Sequence, residues 1–168
     1  VQHAEHMVAH NRTADLHDLP PFRNAPPTDF EAPANRRALQ EALARVKAEL
    51  GREYPLVIGG DRTNSASTFV SRNPSRPQEI IGKFQLASSA QADAAVTAAE
   101  LAFAGWSTTP PRDRAALLLD AARRMRERRH TCTAWMILEV GKTWPEPDAD
   151  ADEAIDFLEF YAREMLRY

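Results

Sequence analysis

Leu138-Glu139-Val140-Gly141-Lys142, the acidic approach from Glu146 to Asp152, and then Glu153-Ala154-Ile155-Asp156-Phe157-Leu158-Glu159-Phe160-Tyr161-Ala162-Arg163 follow one another without a break. They read as a helix ending at a glycine, a short polar crossing, and a second helix over 152–168. Ala154, Leu158, Tyr161 and Met165 recur at helical spacing, and Ile155, Ala162 and Leu166 widen the stripe, so this face is expected to be buried. Asp152, Asp156, Glu159 and Arg163 fall on the other side, which is expected to be solvated, with Glu159 placed four residues before Arg163 for an ion pair. Glu153 belongs to neither face. It sits on the shoulder of the stripe with Phe157 and Phe160 beside it, and a carboxylate between two phenyl rings calls for a partner.

The 168 residues, 43% hydrophobic and 27% charged, suffice for one domain with a real core. A net charge of -3 argues against a general nucleic-acid partner, because neutralising phosphates needs a clustered basic excess. One cysteine excludes an intrachain disulfide and fits a reducing compartment. No apolar run reaches spanning length and no signal-peptide core is visible, so no membrane partner is expected and the cytoplasm is the expected location.

Residues 1–33 read as an extended or disordered arm, and 34–168 as the folded body. The arm holds His3, His6, His10 and His17, then Pro20, Pro21, Pro26, Pro27 and Pro33, a proline density that favours extended chain. Three of those imidazoles at helical spacing invite a metal reading, but a ragged terminus without cysteine or acidic partners is the better account. A helix over 35–50 carries Leu39, Leu43, Val46 and Leu50 on one stripe, with Gly51 at its C-terminal cap. Strands are expected at 54–59, 68–71 and 79–86 in a small antiparallel sheet. Ser88 with Gln91 is a capping-box start for a helix over 88–104, which buries Ala92, Val96, Ala99 and Phe103 and ends at Gly105. Thr109 then caps a helix over 110–129 with Pro110 first, burying Ala115, Leu118, Ala122 and Met125. A mostly apolar helix over 131–140 follows, closed by Gly141.

The segments Glu139-Val-Gly-Lys142 and Glu153-Ala-Ile-Asp-Phe157 closely resemble the aldehyde dehydrogenases, and within them the pyrroline-5-carboxylate (L-glutamate γ-semialdehyde) dehydrogenases of proline breakdown. Tyr54-Pro-Leu-Val-Ile-Gly-Gly60, Asn73-Pro-Ser75 and Ile81-Gly82 come in that family's opening order, and Pro21-Phe-Arg-Asn-Ala-Pro26 sharpens the subfamily. The likeness spans roughly residues 21–168 and the leading third of a typical member. It implies an α/β parent with cofactor, catalytic and oligomerisation parts, of which this chain alone is mainly helical with a small sheet. It also implies NAD as cofactor of the full-length enzyme, none bound by this chain alone, a homo-oligomer, and the remainder of the dehydrogenase chain as partner. Residues 1–168 taken alone are expected to lack dehydrogenase activity, since the family's nucleophile, general base and pyrophosphate turn match nothing in them. The rival expectation is a non-catalytic helical interaction module, or a member of another aldehyde dehydrogenase subfamily.

No catalytic, cofactor or metal residue is therefore assigned. Cys132, mid-helix beside Trp135 and Met136, reads as core and does not match the family's glycine-flanked nucleophile. Gly59-Gly60 lacks the spacing of a phosphate loop. Asp148, Asp150, Asp152, Glu153 and Asp156 lack the glycine and twelfth-position glutamate of a calcium loop, and negative charge suits a helix N-terminus anyway. Arg123, Arg124, Arg126, Arg128 and Arg129 could grip a phosphate, but cations at a helix C-terminus are the simpler reading. Glu153 is the substrate-binding candidate. By resemblance it aligns with the acidic residue placed near the substrate's α-ammonium group, and the alternative is a glutamate compensating the helix dipole.

Overall fold

The computed structural model describes residues 19–168, so His3, His6, His10 and His17 lie outside the described residues. Residues 19–29 form neither helix nor strand. The chain then runs through α1 (Pro33–Lys47), β1 (Arg52–Tyr54), β2 (Leu56–Ile58), β3 (Asp61–Thr63), β4 (Ser67–Arg72) and β5 (Ile80–Leu86). Four more helices follow: α2 (Ser89–Thr108), α3 (Pro111–Glu127), α4 (Arg129–Val140) and α5 (Pro145–Arg167).

Proline opens α1, α3 and α5, where its missing N–H costs nothing and its fixed φ already suits the helix. This moves two expected starts. α3 begins at Pro111 rather than Pro110, and the Thr109 hydroxyl, expected to cap it, donates back to the Gly105 carbonyl instead. α5 begins at Pro145, well before the expected residue 152, and the Glu146 carboxylate in its first turn accepts from the Thr143 amide at 3.0 Å and hydroxyl at 2.9 Å. Those two bonds hold the Glu146 carboxyl below its usual range. The Ser88–Gln91 capping box on α2 forms as expected, with both reciprocal bonds in place. Gly105, expected to end α2, lies inside it; the stop comes at Thr109, because a residue before proline is pushed out of the α region.

The expected antiparallel sheet is a mixed one. β5 lies between β4, which it pairs antiparallel, and β1, which it pairs parallel. A parallel neighbour needs a long connection, and the separate β2–β3 hairpin together with β4 supplies it. Pro55 divides what reads as one strand into β1 and β2, since it can donate no ladder bond. Across the three strands Tyr54 stacks on Phe84 at 5.1 Å and Phe84 on Phe69 at 5.3 Å. Gly82 makes room for the stack, because a Cβ there would lie 3.0 Å from the Phe84 ring and 3.1 Å from Tyr54.

Leu39, Ala42 and Val46 of α1 meet Ala134 and Leu138 of α4 and Ile81 of β5 in the central core, with Phe30, Trp135 and Trp144 around it. Full burial of a leucine, valine or isoleucine side chain among these is worth about 1.5–3 kcal/mol. A second seam joins α3, through buried Ala115 and Ala122, to α5, through buried Ile155 and Ala162; small side chains let the two helices approach closely.

Two expected faces are corrected by the packing. On α2 the line Ala92, Val96, Ala99 and Phe103 is exposed, and the helix buries no residue. On α5, Tyr161 and Met165 are exposed and Ala154 and Leu158 only half-buried, whereas Asp152, expected in solvent, is 6% exposed and Asp148 2%. The acidic side of α5 faces α3, α4 and the arm, where cations and amides await it. No helix of the described residues is long and apolar enough to cross a membrane.

Candidate functional site

Asp148, Asp152 and Asp156 stand one turn apart on α5 and so share a face. The expected helix C-terminal cation Arg129 instead opens α4 and reaches across to this face. Its guanidinium donates to Asp148 at 2.7 and 3.0 Å, to the second carboxylate oxygen of Asp152, and to the Pro26 carbonyl at 3.3 Å. Arg129 is 17% exposed at its side chain and the two carboxylates less, which makes this a buried, charge-assisted cluster. Arg123 and Arg124 pair with Asp120, and Arg126 pairs with Glu159 at 2.5 Å, so this part of the arginine tract is tied to carboxylates. Glu159 and Arg163 form the expected pair at 3.3 Å.

The two buried aspartates part company. Burial pushes the Asp148 carboxyl up, but the bonds from Arg129 and Thr28 outweigh it and hold the group below its usual range. Burial also pushes Asp152 up; Arg129 opposes this, Asp148 and Asp156 add repulsion, and the result is about 6. The other oxygen of Asp152 is buried without a hydrogen-bond partner among the described residues.

The same aspartates hold the arm. Asp148 accepts from the Thr28 amide at 3.1 Å and hydroxyl at 3.0 Å. Asp156 accepts from the Ala25 amide at 2.9 Å and the Asn24 side-chain amide at 2.8 Å. Phe22 packs edge-on to Phe160 at 5.5 Å, beneath the Arg163 guanidinium. Pro21-Phe-Arg-Asn-Ala-Pro26 is thereby laid along α5.

Between arm and helix lies a cleft of about 550 Å³. Its apolar walls are Phe22, Phe30, Phe157, Phe160 and Tyr161, and its polar lining includes Asp148, Asp150, Asp152, Glu153 and Asp156, with no lysine or arginine. Four of these five acids are engaged: Asp148 and Asp152 by Arg129, Asp156 by the arm, and Asp150 by Lys142, whose ammonium pKa that contact raises. Glu153 is exposed and makes no hydrogen bond or ion pair among the described residues. It is the one acid of this lining without such a partner among the described residues. Phe157 and Phe160 line the cleft with it.

Other candidates are not brought together. Cys132 is half-buried within α4, away from the cleft lining. No group of three or more histidine, cysteine or acidic side chains among the described residues could hold a metal ion. Gly141 ends α4 in the left-handed region at φ 75°, as expected, and a Cβ there would meet the Pro74 ring at 2.8 Å. The Asn73-Pro-Ser75 loop thus sits directly against the end of α4, and Ser71 donates to Glu139 beside it at 3.2 Å.

Residues 61–168 match the model of the aldehyde dehydrogenase family. The chain belongs to that family. It is 48% identical over 147 residues to the 1-pyrroline-5-carboxylate dehydrogenase of Geobacillus sp. (strain WCH70), an alignment covering 88% of this chain and 28% of that protein. The crystal analysis of 1-pyrroline-5-carboxylate dehydrogenase from Thermus with bound NAD is similar at 48% identity and a TM-score of 0.87, covering 90% of this chain and 29% of that one. The Δ-pyrroline-5-carboxylate dehydrogenase of Mycobacterium tuberculosis superposes with a TM-score of 0.79 at 31% identity, over 89% of this chain and 29% of that one. This family member therefore spans under a third of the length of these relatives and corresponds to their N-terminal part.

Local sequence pattern missed Arg129, Asp148 and Asp156 as a working group. The one signal was the four-residue spacing of the aspartates, which also fits a solvated face.

Proposed function

We propose that this chain is the N-terminal part of an NAD-dependent dehydrogenase that oxidises L-glutamate γ-semialdehyde, the open form of pyrroline-5-carboxylate, to glutamate. The activity is that of a protein of the relatives' full length, acting in the cytoplasm as a homo-oligomer. Within it, residues 1–33 are the arm and 34–168 the opening of the catalytic body. The remainder of that protein is the partner for the exposed apolar faces of α2 and α5.

The observation that carries the substrate reading is the single uncommitted carboxylate, Glu153, in an aromatic-walled cleft whose other four acids are occupied. Such a group binds an ammonium by a charge-assisted bond that strengthens as water is excluded. Five carboxylates line the cleft against the two cations, Arg129 and Lys142, that pair with three of them, so the field there favours a cation. An α-ammonium distinguishes glutamate γ-semialdehyde from plain aldehydes. NAD, when bound by the whole protein, accepts the hydride; the six glycines of this chain form no Gly-x-Gly-x-x-Gly turn, so none of its residues is assigned to the cofactor.

The test is a steady-state assay of the full-length enzyme with NAD, comparing L-glutamate γ-semialdehyde with 5-oxopentanoate, which has the same carbon chain and carboxylate but no ammonium. A kcat/KM at least about 10-fold higher for the amino-acid aldehyde is expected. Equal values, or no NADH from either, overturn the proposal.

A further inference from the structure

The arm is fastened at both ends of one short stretch. At one end Thr28 and the Pro26 carbonyl are bound by Asp148 and Arg129; at the other, Asn24 and Ala25 are bound by the two oxygens of Asp156. Asp156 lies on the same helix as Glu153, three residues on, so it faces the cleft from the neighbouring position. Both of its oxygens are spent on the arm, and Phe22, Asn24 and Ala25 thereby become the wall opposite α5.

We propose that Asp156 is a positioning residue for substrate recognition: by holding Asn24 and Ala25 it keeps the arm in place as a wall of the cleft that Glu153 also lines, so that an ammonium bound by Glu153 is enclosed on that side. This rests on the reading of Glu153 as the ammonium ligand. The physical link is dielectric. Glu153 is exposed at the cleft; once an ammonium is seated on it the arm closes off one side of the ion pair, and that pair weakens as bulk water gains access to it. Loosening it therefore costs affinity for the charged group and leaves the rest of the substrate's binding unchanged. Asp148 and Arg129 fix the arm's other end but lie deeper, so their loss is felt mainly as stability.

The test uses the full-length enzyme with Asp156→Ala, Asp156→Asn and Glu153→Gln, each assayed on L-glutamate γ-semialdehyde and 5-oxopentanoate. For Asp156→Ala the KM for the semialdehyde is expected to rise about 10-fold while kcat and the KM for 5-oxopentanoate change less than about two-fold. Asp156→Asn keeps an acceptor for the Ala25 amide and is expected to recover most of the loss. Amide hydrogen exchange of the segment around Ala25 should quicken in Asp156→Ala alone. If Asp156→Ala does not fold, Asn24→Ala removes one of the two bonds and is expected to shift the semialdehyde KM in the same direction.

The proposal is overturned if the variants raise both KM values alike, or leave the semialdehyde KM unchanged, while Glu153→Gln lowers the preference for the ammonium-bearing substrate. If Glu153→Gln itself leaves that preference intact, the substrate reading falls, and the role given to Asp156 falls with it.

Discussion

α2 and α5 are both long helices with a legible apolar stripe, and both leave much of it in solvent, but α2 buries nothing whereas α5 buries part of its stripe and two aspartates. α2 leaves Val96, Leu101, Phe103 and Trp106 in solvent at 47–77% exposure and touches the rest of the chain mainly through β2. α5 turns its acidic side inward, where Asp148, Asp152 and Glu159 find arginines, and leaves Phe157, Tyr161 and Met165 outside. An apolar stripe locates a helix but does not name its neighbour. A carboxylate face reads as solvated until a cation from a distant element is placed against it.

The sharpest way to break this contrast is to remove the cation. Arg129→Ala leaves Asp148 and Asp152 buried without their counter-charge and is expected to destabilise the fold by about 3–5 kcal/mol in urea unfolding. A loss below about 1 kcal/mol would mean that the acidic face is solvated after all.

The two sides of α5 can then be weighed directly. Ile155→Ala, on the buried side, should cost about 2–4 kcal/mol, and Tyr161→Ala, on the exposed side, within about 0.5 kcal/mol in this chain. Equal losses would erase the distinction between the faces.

Acid titration sharpens the comparison further. Asp152 is raised to about 6 in the fold against an ordinary 3.8, so its contribution to stability is present below the ordinary value and is lost as pH rises through about 6. Wild type should therefore lose stability relative to Asp152→Asn between roughly pH 4 and 7, by at most about 3 kcal/mol. A difference that is flat, or that grows in favour of wild type, contradicts the repulsive burial of Asp152 beside Asp148 and Asp156. Asp148 has the opposite sign: its stabilisation is present above its ordinary pKa and fades only as pH falls below it.

A smaller effect is expected at Gly141→Ala, about 1–3 kcal/mol from positive φ and the contact with Pro74, measured by the shift in the unfolding midpoint.

What the sequence discloses divides along the same line. Features settled by neighbours in the chain are legible: the Ser88–Gln91 capping box, the left-handed Gly141 and the helices themselves. Features settled by distant partners are not. The parallel pairing of β1 with β5 depends on where α1 delivers the chain, and Arg129 meets Asp148 and Pro26 only after α4 and α5 have packed. The prolines of 20–27 announce an extended arm but not the carboxylates that hold it. The family resemblance reached Glu153 through the residues around it; the cleft adds that every other acid there is already engaged.

The most direct measurement is the substrate preference of the full-length enzyme carrying Glu153→Gln. The ratio of kcat/KM for L-glutamate γ-semialdehyde to that for 5-oxopentanoate should collapse by about 10-fold or more, through the amino-acid aldehyde alone. A ratio equal to that of the unsubstituted enzyme would contradict the assignment of this cleft to the ammonium group.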